Sequence, residues 1–123
     1  MAHMLQLDLT HNNIGAEGAL SLAFSLTRNK TLRRLILRHN LIGDAGCDAF
    51  AHALQAARNS TLIELSLAAN GMTDASGASL GKMLASNAAL CRLDVSANIL
   101  GEVPLSVIVK FQLKELCYLL SCK

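Results

Sequence analysis

Apolar and polar residues alternate in a nine-position phrase that the chain writes four times: MLQLDLTHN from Met4, LRRLILRHN from Leu32, LIELSLAAN from Leu62 and LCRLDVSAN from Leu90. Each copy puts an apolar residue at its first, fourth and sixth positions and Asn at its ninth. The starts are 28, 30 and 28 residues apart, and two extra residues near Ala56 to Arg58 account for the longer step. A fixed period of this length marks stacked units, none of which can bury its apolar face alone. The alternation predicts a short strand in each copy that points Leu7 and Leu9, Leu35 and Leu37, Leu65 and Leu67, and Leu93 and Val95 into a core. Asn12, Asn40, Asn70 and Asn98 then turn the chain away, and their amides are expected to stack in a column and satisfy backbone groups freed by the bend. Because a buried polar group without a partner costs about 1–3 kcal/mol, these asparagines are read as structural.

The second half of each unit has helical spacing. Two places after each Asn stands an apolar residue (Ile14, Ile42, Met72, Leu100) in a glycine-containing turn, with Gly15, Gly43 and Gly101 just after it and Gly71 just before Met72. Ala19, Leu22, Ala23 and Leu26 then share one helix face, as do Cys47, Phe50, Ala51 and Leu54, and Gly77, Leu80, Gly81 and Leu84. Small residues at the first and third of these places let a helix lie close to the strand layer, which would offset the roughly 1 kcal/mol that each glycine costs a helix. Parallel strands joined through helices require right-handed crossovers. The expected fold is therefore α/β: a curved right-handed solenoid with parallel strands inside and helices outside.

The phrase LxxLxLxxN, the 28-residue period and the I-G-x-x-G and L-x-x-x-L elements that follow resemble ribonuclease-inhibitor-like leucine-rich repeats, a type also found in Ran GTPase-activating proteins and in the sensing arms of NOD-like receptors. The resemblance runs from Met4 to about Leu100. It implies a horseshoe segment with strands on the concave face, helices on the convex face, and a protein-binding surface on the concave side. Met1 to His3 read as a cloning scar, and residues 4–123 as a single domain. From about residue 104 to the end the pattern changes, because Pro104 stands where earlier copies have Gly and Gln112 where they have an inward Leu. Two readings remain. In one, Leu105, Ile108, Val109, Leu113, Leu116 and Leu120 form a capping helix; in the other, Leu113, Leu116 and Tyr118 open a fifth strand. The continuous apolar spacing favours the helix.

Composition narrows the function more than it identifies it. With 52% hydrophobic and 16% charged residues, the chain carries a folded core, and its four aromatics (Phe24, Phe50, Phe111, Tyr118) leave that core to aliphatic side chains. A net charge of +2 gives no reason to invoke nucleic acid or a membrane, and no apolar run approaches the roughly 18 residues of a membrane span. Cys47, Cys91, Cys117 and Cys122 show no CxxC spacing, which suits a reduced, cytoplasmic protein. Asn29-Lys30-Thr31 and Asn59-Ser60-Thr61 match a glycosylation acceptor but recur at one turn of the repeat, so they are read as turn residues.

The outward strand positions carry the candidate chemistry. They form three columns: Gln6, Arg34, Glu64 and Arg92; Asp8, Ile36, Ser66 and Asp94; Thr10, Arg38, Ala68 and Ser96. At a strand spacing of about 4.8 Å, Arg34, Glu64 and Arg92 can form an alternating charge ladder. This is either a solvated pairing or a recognition strip, in which Arg34, Arg38 and Arg92 grip a partner's carboxylates and Ile36 adds an apolar contact. The protein-binding set is thus Arg34, Ile36, Arg38, Glu64, Ser66, Arg92 and Asp94. Arg28, Lys30, Arg33, Arg34 and Arg38 crowd into eleven positions, but without stacking aromatics they read as a solvated rim. His11 and His39 should lie one strand apart, as a stacked pair without a third metal ligand. No cofactor, metal or catalytic constellation is expected. The reading is a protein-interaction module or scaffold fragment of a larger intracellular protein. The alternatives are a Ran-directed GTPase activator and a repeat that self-associates through an open strand edge.

Overall fold

The computed structural model describes residues 5–55 and 58–99. Among these residues, four short strands alternate with three helices: β1 (Gln6–Asp8), α1 (Ala16–Arg28), β2 (Arg34–Ile36), α2 (Gly43–Leu54), β3 (Glu64–Ser66), α3 (Ala75–Ser86) and β4 (Arg92–Asp94). The strands pair in parallel in chain order. Gln6 faces Arg34, Arg34 faces Glu64 and Glu64 faces Arg92, so the steps of 28, 30 and 28 residues are the steps of the sheet. The ladder runs on past each strand, where Leu9, Leu37 and Leu67 N–H groups donate to the carbonyls of Ile36, Ser66 and Asp94 at 2.8–2.9 Å. Ala56 and Ala57 of the stretch thought to lengthen the middle step, Met1 to Met4, and the capping-helix and fifth-strand alternatives beyond Leu100 lie outside the described residues, as do Cys117 and Cys122. Among the described residues no helix is long and apolar enough to cross a membrane.

The core lies where the inward strand residues meet the helices. Leu35, Leu37, Leu65, Leu67, Leu93 and Val95 form one buried cluster with Ala19, Ala23, Leu26, Cys47, Phe50, Ala51 and Leu54. Each such leucine contributes about 1.5–3 kcal/mol when fully buried. Leu7, Leu9, Ile14 and Leu22 of the first unit pack against this cluster but are only partly buried. The third helix departs from the expected face: besides Leu80 and Leu84 it buries Ser76 and Met83, while Gly77 and Gly81 are only half-buried. The equivalent places of α2, Gly46 and Ala53, are buried as well, and the buried Ser76 hydroxyl is satisfied by donating to Asp44 Oδ1 at 2.6 Å. Close helix packing is clearest at Gly46, where a Cβ would overlap the Ile42 Cγ2 methyl and come within 3.0 Å of Ala19 Cβ.

The asparagine column forms as a relay between units. Asn40 Oδ1 accepts from the N–H groups of Asn12 and Ile14, and its Nδ2 donates to the carbonyls of Leu9, Leu37 and Arg38. Asn70 accepts from Ile42 N–H and donates to Leu37 and Ala68 carbonyls; Asn98 repeats the arrangement one unit on. The residue before each Asn is left-handed, with φ of 59° at His11 and 56° at His39, Ala69 and Ala97. Left-handed backbone costs a non-glycine residue roughly 1–2 kcal/mol, which the hydrogen bonds of the relay offset.

A second asparagine relay holds the opposite bend. Asn29, Asn59 and Asn87 each accept through Oδ1 from the N–H groups two and three residues ahead. Asn59 Nδ2 donates back to Leu26 O at 2.6 Å, and Asn87 Nδ2 to Leu54 O at 2.8 Å. Asn29 and Asn59 are therefore turn residues, as their recurrence suggested, and buried Asn59 has its amide committed to the fold.

Candidate interaction surface

Because side chains alternate along a strand, the residues flanking each inward leucine point to the other side of the sheet. There they line an open depression of about 380 Å³ to which all four strands contribute. All three predicted columns line it except for Ala68 and Ser96.

The first column is a bonded ladder. Arg34 Nε and Nη2 clasp both oxygens of Glu64 at 3.1 and 3.3 Å, while its Nη1 donates to Gln6 Oε1 at 2.6 Å. Arg92 Nη1 reaches the same carboxylate at 3.6 Å, so Glu64 sits between two guanidinium groups and its side chain is only 14% exposed. A forked pair of this kind fixes orientation more firmly than a single contact.

The second column is less open than the sequence suggests. Ile36 keeps only 9% of its surface, so it is part of the floor of the depression and offers little apolar area to a partner. Ser66 is also buried and donates to Asp94 Oδ2 at 3.4 Å. At the two ends, Asp8 and Asp94 each accept from the hydroxyl and the N–H of the residue two places on, Thr10 and Ser96. The Thr10 hydroxyl and N–H, with the positive charges of Arg38 and Arg34 behind them, hold the Asp8 carboxyl below its ordinary range.

Arg38 differs from Arg34. It is exposed on the wall of the depression and forms no ion pair among the described residues, with Asp8 within electrostatic reach. The lining as a whole carries three arginines against Asp8, Glu64 and Asp94, a balanced mosaic in place of the basic strip that the arginines alone suggest. The run of basic residues in the sequence likewise divides in space: Arg34 and Arg38 line the depression, whereas Arg28 lies over the Phe24 ring on α1, 6.0 Å from its centroid.

His11 and His39 stack with ring centroids 4.5 Å apart and planes within 8° of parallel. Among the described residues no group of three metal-ligating side chains comes together. Cys47 is buried, and desolvation raises its thiol to about 11 against a small opposing pull from Ser76.

Two features escape the sequence reading. Asp44 bridges α2 to α3, accepting from Thr73 N–H, Thr73 Oγ1 and Ser76 Oγ; nearby, the Ser79 hydroxyl donates to Asp48. On the helical side, Leu20 and Phe24 are 62% and 63% exposed. They stand beside a mostly apolar groove of about 420 Å³ between α1 and α2. Their signal was available: both fall off the face defined by Ala19, Ala23 and Leu26.

Comparison with known proteins settles the family. The Leucine Rich repeat profile matches residues 1–23, 28–51 and 58–81, more than half of the chain. The chain belongs to the leucine-rich repeat family. No curated protein matches it. Among solved structures, one described as leiomodin-1 actin-binding site 2 superposes with a TM-score of 0.75 at 19% identity, a likeness of fold. The match covers 85% of this chain and 62% of that one.

Proposed function

We propose that this leucine-rich repeat chain is a protein-interaction module that takes a partner protein on its strand face, without catalysis of its own. In this reading the repeats wind as a right-handed solenoid, with the strands on its concave side and the helices on its convex side. The observation that carries the proposal is the depression built by outward side chains of every strand, whose ion pairs are already arranged before a partner arrives. Side chains held by such pairs lose less rotamer entropy on binding than free ones.

Within the predicted set the roles divide. Arg34, Glu64 and Arg92 form the fixed ladder, Ile36 and Ser66 the floor, and Asp94 one acidic end. Arg38, which is not spent on an ion pair among the described residues, is the anchor for a partner's carboxylate. A balanced mosaic suits another protein better than a polyanion. Actin is the first partner to test, because the leiomodin-1 structure of like fold is an actin-binding site. Charge reversal at Arg38 is expected to weaken capture at least ~tenfold while leaving the unfolding curve in place. Capture that survives Arg38→Glu, or a variant that no longer folds, would count against the assignment.

A further inference from the structure

We propose that the outer face of α1 is a second, separate surface, through which two copies of the chain pair across a two-fold axis. The helix carries Glu17 in its first turn and Arg28 in its last, with exposed Leu20 and Phe24 between them. At 3.6 residues per turn these four side chains fall within a sector of about 80°, turned away from buried Ala19, Ala23 and Leu26. The surface is therefore one stripe reading acid, leucine, phenylalanine, base.

Such a stripe is complementary to itself in one direction only. The midpoint between Glu17 and Arg28 lies between Leu22 and Ala23, and Leu20 and Phe24 flank Leu22, so both pairs share nearly the same centre. A two-fold axis there sets Glu17 of one copy against Arg28 of the other and Leu20 against Phe24, each contact made twice. The same antiparallel arrangement opposes the helix dipoles favourably, whereas a parallel one would set acid against acid. The groove beside the stripe, floored by Ala49 and Ala53 of α2, gives the second copy's phenylalanine a seat. A contact made mainly by one helix from each copy lies near the ~1,000 Å² lower limit of stable interfaces, so the dimer is weak and concentration-dependent.

The test is the mass of the full chain by sedimentation equilibrium at low salt, from roughly 10 µM to 1 mM, where an interface of this size associates. The mass is expected to rise toward two chains. Phe24→Glu and Arg28→Glu should each weaken association at least ~tenfold, and the exchange Glu17→Arg with Arg28→Glu should bring it back to within about threefold of the parent. Circular dichroism checks that each variant keeps its helices. A single-chain mass across the range would overturn the proposal. So would a dimer that Phe24→Glu leaves intact, as pairing through a strand edge would, or an exchanged variant that stays monomeric although folded.

Discussion

Asn70 and Asn12 occupy the same place in their repeats and do unequal work. The side chain of Asn70 is buried and satisfies Ile42 N–H and the carbonyls of Leu37 and Ala68, whereas among the described residues the side chain of exposed Asn12 donates to Thr10 O alone. Truncating Asn70 strands several buried backbone groups, each at about 1–3 kcal/mol, so Asn70→Ala is expected to cost about 3 kcal/mol or more and Asn12→Ala under ~1 kcal/mol. Denaturant unfolding of the two variants measures the difference, and equal losses would show that the relay is not what holds the bend. Asp44 gives a residue-scale effect that depends on pH. The Ser76 hydroxyl, then the Thr73 hydroxyl and N–H, hold its carboxyl below the ordinary value, so the folded state favours the ionised form. The stability this lends is present above the unfolded carboxyl value and is lost as pH falls through the folded one. Asp44→Asn should therefore flatten the fall of the thermal midpoint below about pH 4, where the parent still loses this contribution. A variant curve parallel to the parent's would contradict the assignment.

At the scale of elements, the period made most of the fold legible. Strand, bend and helix could be read because Leu, Asn and small residues return at fixed intervals, and the sheet register reproduces those intervals residue for residue. What escaped depends on side chains reaching between units. The second relay was half seen, since Asn29 and Asn59 stood out through the Thr two places on, while Asn87, followed by Ala88 and Ala89, does the same job without that mark. The Asp44 bridge joins residues 29 and 32 positions apart and belongs to no repeated motif. Ile36 lines the depression, but alternation says nothing about how far neighbouring side chains close over it. Packing between α1 and α2 can be tested at Gly46, where the methyl of alanine has no room beside Ile42 and Ala19. Gly46→Ala gains up to about 1 kcal/mol of helix propensity and loses about 1–3 kcal/mol to overpacking, so a net loss in thermal stability is expected. A more stable variant would mean the helices have room to separate.

At the scale of the whole molecule, the two proposals assign different work to the two sides of the repeat. Among the described residues, the strand side presents Arg34, Glu64 and Arg92 already paired, with Arg38 outside those pairs, and the helical side presents an apolar stripe on α1, so the two proposed contacts share no residue. They can be broken one at a time: Phe24→Glu should leave partner binding untouched, and Arg38→Glu should leave the mass in solution untouched. The strand face was legible as a set of positions, but its charge arrangement was not, because that depends on which arginine is already held. Arg34 is clasped by Glu64 and Gln6 while Arg38 is not, a distinction no spacing in the sequence carries. The most direct test is a calorimetric titration of actin with the parent chain, Arg38→Glu and Phe24→Glu. The account predicts saturable binding by the parent and by Phe24→Glu, with at least ~tenfold weaker binding by Arg38→Glu. No binding by the parent, or equal binding by Arg38→Glu, would contradict it.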